Sequence, residues 1–561
     1  MTVRCTTLSN LLIRVIGPNL LSYKKADRGD DELKTTTDFV IAGAGHNSLI
    51  TAAYLSKAGH EVVVLDARSE AGGGAATEEI LLPGFGFDTC STGQTMIQVN
   101  PVLAHDELGL ISEFGLQYVA PDPVAHVVFP DGEHLTMWLD LERTLEEIGR
   151  FSKDDALSYR RMLDEFEEVK GVYGAYRFTP IGYGPSLDER LAQHPRGMVW
   201  MRRNVMSAWD VIKREFESRH IRAFMAWMAF QTAQPLDSPG SGYLAYSLIG
   251  ARQRRSWSIP LGGSASLPRT IVAAIEKAGG EVITKTFIES LIIEGGRCVG
   301  VETKGGDQYR ARRGVVSSIH IKSLVGMAPP ELWGDDFLYG VDTYDEGLSS
   351  FASYYATTEP PRFRVDGDEI EVVSAGPAPW AEDVIEFGRL LRHGRLHRPG
   401  TFLLFATPTI VDPSRAPEGH HTVKILSLAP YEAPEELGDW ETGKDRLANE
   451  HLKILQDCAP NLTDEKILAR KAKSPVDIEA SNPHMWRGTI HGGDRGLAYG
   501  GAQRPVPGWA QHRMPIPGLY QTGATTHPGG SITGGPGRNA ATVILDDLGT
   551  TIEAVVAEQH R

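Results

Sequence analysis

The clearest ordering of apolar and polar positions is "DFVIAGAGHNSLITAAYLSKAGHEVVVLDAR", from Asp38 to Arg68. Phe39 to Ala42 is a short apolar run, Leu49 to Lys57 carries apolar residues at helical spacing, and Glu61 to Asp66 is a second apolar run around "VVVL". The pattern predicts strand, helix, strand. Ile259 to Gly306 predicts a helix followed by three strands, and "GVVSS" at Gly314 to Ser318 predicts a return to a buried strand. Near the other end, "GLYQTGATTHPGGSITGGPGRNAATVILDDLG" (Gly518 to Gly549) predicts a strand at Leu519 to Thr522, a glycine loop, and a helix from about Gly535. Between them, "MVWMRRNVMSAWDVI" and "AFMAWMAFQTA" are rich in Met and Trp, suited either to an apolar pocket wall or to plain helix core.

The turn after the first strand holds the first candidate chemistry. Gly43 permits the sharp exit from the strand, and Gly45 lets the backbone approach a pyrophosphate at the helix N-terminus. Ser48 stands where the usual dinucleotide fingerprint has its third glycine. It adds one small group at the helix–strand contact and reads as a packing variant, so Ser48→Gly should leave cofactor retention unchanged or improved. Asp66 ends the second strand where a carboxylate can accept hydrogen bonds from ribose hydroxyls and would repel a 2′-phosphate. A second glycine turn, Gly72-Gly73, follows. The spacing from Gly43 through Ala52, Leu55, Gly59, Val62 and Asp66 to Gly73 matches the extended motif of glutathione-reductase-like FAD proteins and selects FAD over NAD. The distant loop Gly529, Gly530, Gly534, Gly535 offers bare backbone N–H groups at a helix start for the flavin pyrimidine.

Bulk properties narrow the class. At 561 residues, 41 % apolar and 23 % charged, the chain has the composition of a folded multidomain protein. Its net charge of −16 gives no support to nucleic-acid binding. The four cysteines are scattered without a C-x-x-C, so neither a metal centre nor a redox disulfide is expected, and a reducing, cytoplasmic setting is. Residues 1–36 begin with a basic, acid-free stretch interrupted by Gly17-Pro18. The readings for them are a packed extension, a homo-oligomer contact, a peripheral membrane anchor or a mitochondrial transit segment.

Three further stretches carry a family likeness: "P-x-G-G … A-G-G-E-V-x-T … V-G-V … V-V-S-S", "SPVDIEASNPHMWRGTIHGGD", and "G-A-x-x-H-P-G-G-x-x-x-G-x-P-G-R-N-A-A". Together they resemble the phytoene desaturase-like flavoproteins, and in particular the branch of pyridine nucleotide-disulphide oxidoreductase domain-containing protein two. The likeness runs from about Thr37 to Leu548 and departs at Ser48, Gly74 and Ser264. It implies an α/β fold: a Rossmann-type, glutathione-reductase-like FAD-binding domain assembled from 37–110, 257–330 and 475–561. It also implies a mixed α+β substrate-binding domain from 111–256 and 331–474. The implied cofactor contacts are Gly43, Gly45, His46, Asn47, Ser48, Asp66, Ala67, Arg68, Gly72, Gly73, Gly74, Ala75, Ile288, Gly523, Ala524, Gly530, Ile532 and Thr533.

The expected activity is an FAD-dependent oxidoreductase of desaturase, dehydrogenase or oxidase type. It would remove a hydride from an apolar or amphipathic small molecule and pass electrons to oxygen or a quinone. The absence of a second dinucleotide fingerprint argues against an NAD(P)H-driven disulfide reductase. Flavin-assisted isomerisation or saturation of a polyene-like substrate, and an FAD-containing assembly protein without turnover, are the alternatives. His527 and His491 are the catalytic candidates, with His484 beside Trp486 and Arg487 in the same loop as His491. The "RQRRSW" cluster, Arg252 to Trp257, could receive a substrate carboxylate but reads better as a solvated loop.

Overall fold

Two seven-stranded sheets divide the chain between them. The computed structural model describes residues 36–557; the readings for the N-terminal extension fall almost wholly outside the described residues. The opening unit forms as its periodicity predicts: β1 (Thr36–Ala42), α1 (His46–Lys57) and β2 (Val62–Leu65). β1 lies between β2 and the strand Gln308–Ser317, parallel to both. Leu519–Gln521 continues the parallel run beyond Gln308–Ser317, and Glu281–Ile283 continues it beyond β2. The hairpin Ile288–Glu294 and Arg297–Thr303 adds antiparallel strands. All strands of this sheet come from 36–65, 281–317 and 519–521.

The parallel register brings the carboxyl ends of these strands to one edge, with Ala42 beside Leu65 and Ser317, and Ser317 beside Gln521. Ligands of open α/β sheets bind at that edge. α1 is buried along nearly its whole length and packs closely on the helix Gly535–Asp547. Gly537 makes the approach possible: a Cβ there would stand 2.2 Å from the Asn47 carbonyl oxygen.

The second sheet is mixed, in the order Ile467–Lys473, Ser350–Thr357, His421–Leu428, Leu404–Ala406, Ser374–Pro377, Ala125–Val128, His134–Met137. A helical layer including Lys153–Arg177, Arg219–Phe230 and Leu244–Arg255 packs with it into one apolar cluster. Arg219–Phe230 carries much of the second Met/Trp-rich stretch. Met225, Trp227, Met228 and Phe230 are fully buried, with the Trp227 indole bonded to the Leu403 carbonyl at 3.0 Å. These side chains are helix core. Among the described residues no helix is long and apolar enough to cross a membrane.

Candidate active site

The strand ends open into a cavity of about 630 Å³. At one end stands the α1 N-terminus, which has no side-chain cap and no acid in its first turn. Its partial positive charge therefore faces the cavity uncompensated. Gly43 and Gly45 are glycines for different reasons. Gly43 has φ +97° and a Cβ there would lie 2.4 Å from Ser318 Oγ, so the fold itself demands it. Gly45 has an ordinary φ of −69°, and a Cβ there would have no protein atom nearer than 3.9 Å. What a side chain at Gly45 would fill is the cavity, the space a pyrophosphate needs.

Asp66, just past β2, accepts from Ala44 N at 2.6 Å and from Arg68 N at 2.8 Å. Burial raises its pKa, opposed by those two backbone bonds and the Arg68 charge. Gly72 donates to the Ala44 carbonyl at 2.7 Å with φ +135°, which ties the second glycine turn to the first. Packed against α1, Ile532 and Thr533 precede the helix Gly535–Asp547, and Thr533 is held by Asn100, whose amide donates to its carbonyl at 2.8 Å.

Most of the residues expected at the cofactor meet here. Gly43, Gly45, His46, Asn47, Ser48, Asp66, Ala67, Arg68, Gly73, Gly74, Ile288, Gly523, Ala524, Gly530, Ile532 and Thr533 line the one cavity. Gly72 and Ala75 do not; they shape the turn behind it, with Ala75 N bonded to the Gly72 carbonyl at 3.0 Å. Of the loop glycines Gly529, Gly530, Gly534 and Gly535, only Gly530 reaches the cavity. Gly534 and Gly535 are packing positions, since a Cβ at either would come within 3.0 Å of Asn100 or Pro528 respectively.

The histidines separate. His527 lies outside the lining: its Nε2 is 3.1 Å from the Tyr176 carbonyl, its ring stands edge-on to Tyr176, and burial lowers its pKa to about 3. Its neighbour Pro528 takes the cavity position, so His527 braces the loop and does not face a substrate. His491 does line the cavity and neither ring nitrogen has a hydrogen-bond partner. Burial, then the Arg495 and Arg504 charges, lower its pKa to about 3. His46, His320 and His484 also line the cavity, each with one unpartnered ring nitrogen. Among the described residues no group of His, Cys, Asp or Glu is arranged to hold a metal ion.

Several lining residues escaped the sequence reading. Lys424 is 6 % exposed and its Nζ donates to the Cys90 carbonyl; burial lowers its pKa. A lysine between Val423 and Ile425 in the strand "TVKILSL" was the available signal. Leu244, Leu248, Trp257, Leu404 and Leu426 form an apolar wall, whereas of the Met/Trp-rich stretches only Gln231 and Thr232 reach it. Arg252, expected in a solvated loop, sits on the helix Leu244–Arg255, 3 % exposed and lining the cavity.

The family model of flavin-containing amine oxidoreductases matches residues 49–545. The chain belongs to that family. The chain is 29 % identical to one component of the limonene dehydrogenase of Castellaniella defragrans, over 92 % of its own length and 95 % of the relative's. It is 27 % identical to mouse pyridine nucleotide-disulfide oxidoreductase domain-containing protein 2, over 94 % and 96 %. Phytoene desaturases stand among the further relatives, as the motif likeness implied. A putrescine oxidase structure has the same fold, with a TM-score of 0.60 at 13 % identity over 92 % of this chain and 99 % of that one. The protein is an FAD-dependent oxidoreductase with a Rossmann-type FAD domain and a mixed α/β remainder.

Proposed function

We propose that the enzyme removes a hydride from a C–H bond of an apolar or amphipathic small molecule and passes the electrons to oxygen or a quinone. The observation that carries this reading is one continuous cavity. It joins the nucleotide turn at Gly45 and Asp66, the helix start at Ile532 and Thr533, and the apolar wall of Leu244, Leu248, Leu404 and Leu426. Bound FAD supplies the hydride acceptor.

The chain's own residues bind, orient and exclude water. The α1 N-terminus with Gly43, Gly45 and Ser48 would hold the pyrophosphate, and Asp66 the ribose hydroxyls. Gly73, Gly74, Ile532 and Thr533 would hold the isoalloxazine, and their backbone groups would help to carry the negative charge it gains on reduction. The leucine wall and Trp257 would keep water from the reacting carbon. His491, neutral at working pH because its pKa lies near 3, suits holding a polar group of the substrate better than carrying away a proton. A hydrogen lost with the hydride in forming a double bond would leave as a proton to solvent.

The test is anaerobic mixing of the FAD-loaded enzyme with cyclic terpenes, polyenes and medium-chain amphiphiles, read as bleaching of the oxidised flavin band. Reoxidation by oxygen and by a quinone is then compared. Bleaching by at least one carbon substrate, with none by NADPH, is expected. Rapid reduction by NADPH would overturn the reading.

A further inference from the structure

Arg252 is a cavity cation that the fold leaves without a counter-charge. Its side chain is almost wholly enclosed, its Nε and Nη1 have no hydrogen-bond partner, and among the described residues no carboxylate stands within ion-pair distance of it. The face of Trp257 stands beside it, with Cζ 4.9 Å from the ring centroid. Burying a guanidinium unpaired is strongly unfavourable, and such groups are normally matched by a carboxylate. The chain has acids in excess, 72 Asp and Glu against 56 Lys and Arg, yet none of the described ones reaches Arg252. Burial lowers its pKa to about 9, which still leaves it charged at neutral pH.

The surroundings say what the missing counter-charge is attached to. Leu244, Ser247 and Leu248 line the cavity from Arg252's own helix, and Leu404 and Leu426 line it from the second sheet. Arg68, Arg177, Lys424 and Arg495 also line it, against the carboxylates of Asp66 and Glu289, so its balance is positive. The cavity therefore combines an apolar wall with an unpaired guanidinium. The FAD phosphates are matched by a different feature, the bare α1 N-terminus, which belongs to the other sheet's layer.

We propose that Arg252 receives the carboxylate of an amphipathic substrate whose apolar body lies along Leu244, Leu248, Leu404 and Leu426. The substrate class is thus an apolar carboxylic acid, and the assignment rests on the reading of this cavity as the place where a substrate meets the flavin. A guanidinium and a carboxylate form paired, charge-assisted hydrogen bonds, which an alcohol of the same length cannot match.

The experiment is calorimetric titration of the FAD-loaded enzyme with a graded series of medium-chain fatty acids and the matching alcohols. The wild type should prefer at least one acid over its alcohol by roughly ten- to a hundredfold. Arg252→Met should erase that preference while keeping its FAD and its affinity for the alcohol, and Arg252→Lys should retain part of it. Equal binding of acid and alcohol across the whole series in the wild type would overturn the proposal, and this comparison needs no variant to fold. So would a preference that survives Arg252→Met, or loss of FAD from a folded Arg252→Met enzyme, which would put the guanidinium on the cofactor. If the acid preference is found but no carbon substrate bleaches the flavin, the proposed hydride removal from such substrates falls and the carboxylate site stands.

Discussion

Ser48 Oγ lies 2.6 Å from the Gly43 carbonyl oxygen, inside the turn that the fingerprint glycines build. The Gly45 carbonyl is a second acceptor at 2.9 Å, and Ser318 Oγ donates to the same hydroxyl at 3.2 Å. Ser48 therefore fastens the nucleotide turn to the end of the neighbouring strand, and the expectation of a mere packing variant is corrected. Ser48→Ala should lower stability by about 1 kcal/mol, the worth of one hydrogen bond, and Ser48→Gly by roughly 1 kcal/mol more through helix propensity. FAD retained after extensive dialysis should fall in the same order. Retention by Ser48→Gly equal to the wild type would restore the packing reading.

The two fingerprint glycines should fail in different ways. Gly45→Ala meets no protein atom and no backbone strain, so the apoprotein should unfold within about 0.5 kcal/mol of wild type, as for an innocuous surface change. Its FAD affinity should nevertheless drop roughly tenfold or more, equivalent to about 1.4 kcal/mol of lost contact. Gly43→Ala forces a side chain into φ +97° against Ser318 Oγ, and should cost the apoprotein about 1 to 2 kcal/mol from handedness alone. Paired measurements of apoprotein unfolding and FAD titration separate the two.

Glu107 ties the last long helix to α1. Arg538 donates to both its carboxylate oxygens at 2.9 Å, and Tyr54 donates to it as well. Burial would raise the Glu107 pKa, but the bonds and charge of Arg538 outweigh it and the pKa is lowered. A lowered carboxyl pKa stabilises above the unfolded value and is lost as pH falls through the folded one. Glu107→Gln should destabilise by about 3 kcal/mol at neutral pH, because Arg538 is left buried and unpaired. The gap between the two proteins should close as pH drops below about 4. Denaturant unfolding of both proteins across that range checks the sign and the size.

The buried histidines set a second, higher acid limit. His46 and His484 are held near 4, and His491 and His527 near 3, in every case chiefly by burial. The unfolded chain takes up protons on them below about 6.5 while the native state does not, so stability falls from there downward. Each neutral histidine should add about 1.4 kcal/mol per pH unit to the slope of unfolding free energy between the unfolded and folded pKa values. Replacing His491 with Gln should remove one proton's worth of that slope. An unchanged slope would mean that His491 is already protonated in the folded protein.

The nucleotide half of the site was legible because its requirements are local. Turn geometry demands Gly43, Gly45 borders the open cavity, and a strand end places Asp66, all within one β-α-β unit. The substrate half was not legible, because it depends on which helix faces are covered. The Met and Trp residues of Arg219–Phe230 went to core since that helix is packed on all sides. Arg252 looked like part of a solvated cluster since Arg254 and Arg255 beside it are exposed. Only the packing of its helix turns that one guanidinium inward. His527 read as flavin-facing from its neighbours Gly529 and Gly530, and one residue of offset puts Pro528 there instead.

The strand Gln308–Ser317 is flanked by β1, from the start of the described chain, and by Leu519–Gln521, from near its end. During synthesis β1 can pair with β2 at once, but its other neighbour, Gln308–Ser317, is made only much later, and Leu519–Gln521 with the segment that carries Ile532 and Thr533 later still. The cavity is complete only when segments from both ends of the described chain have come together. A nascent chain stopped before Leu519 holds the glycine turn but lacks the cavity lining that Gly523, Ala524, Gly530, Ile532 and Thr533 supply.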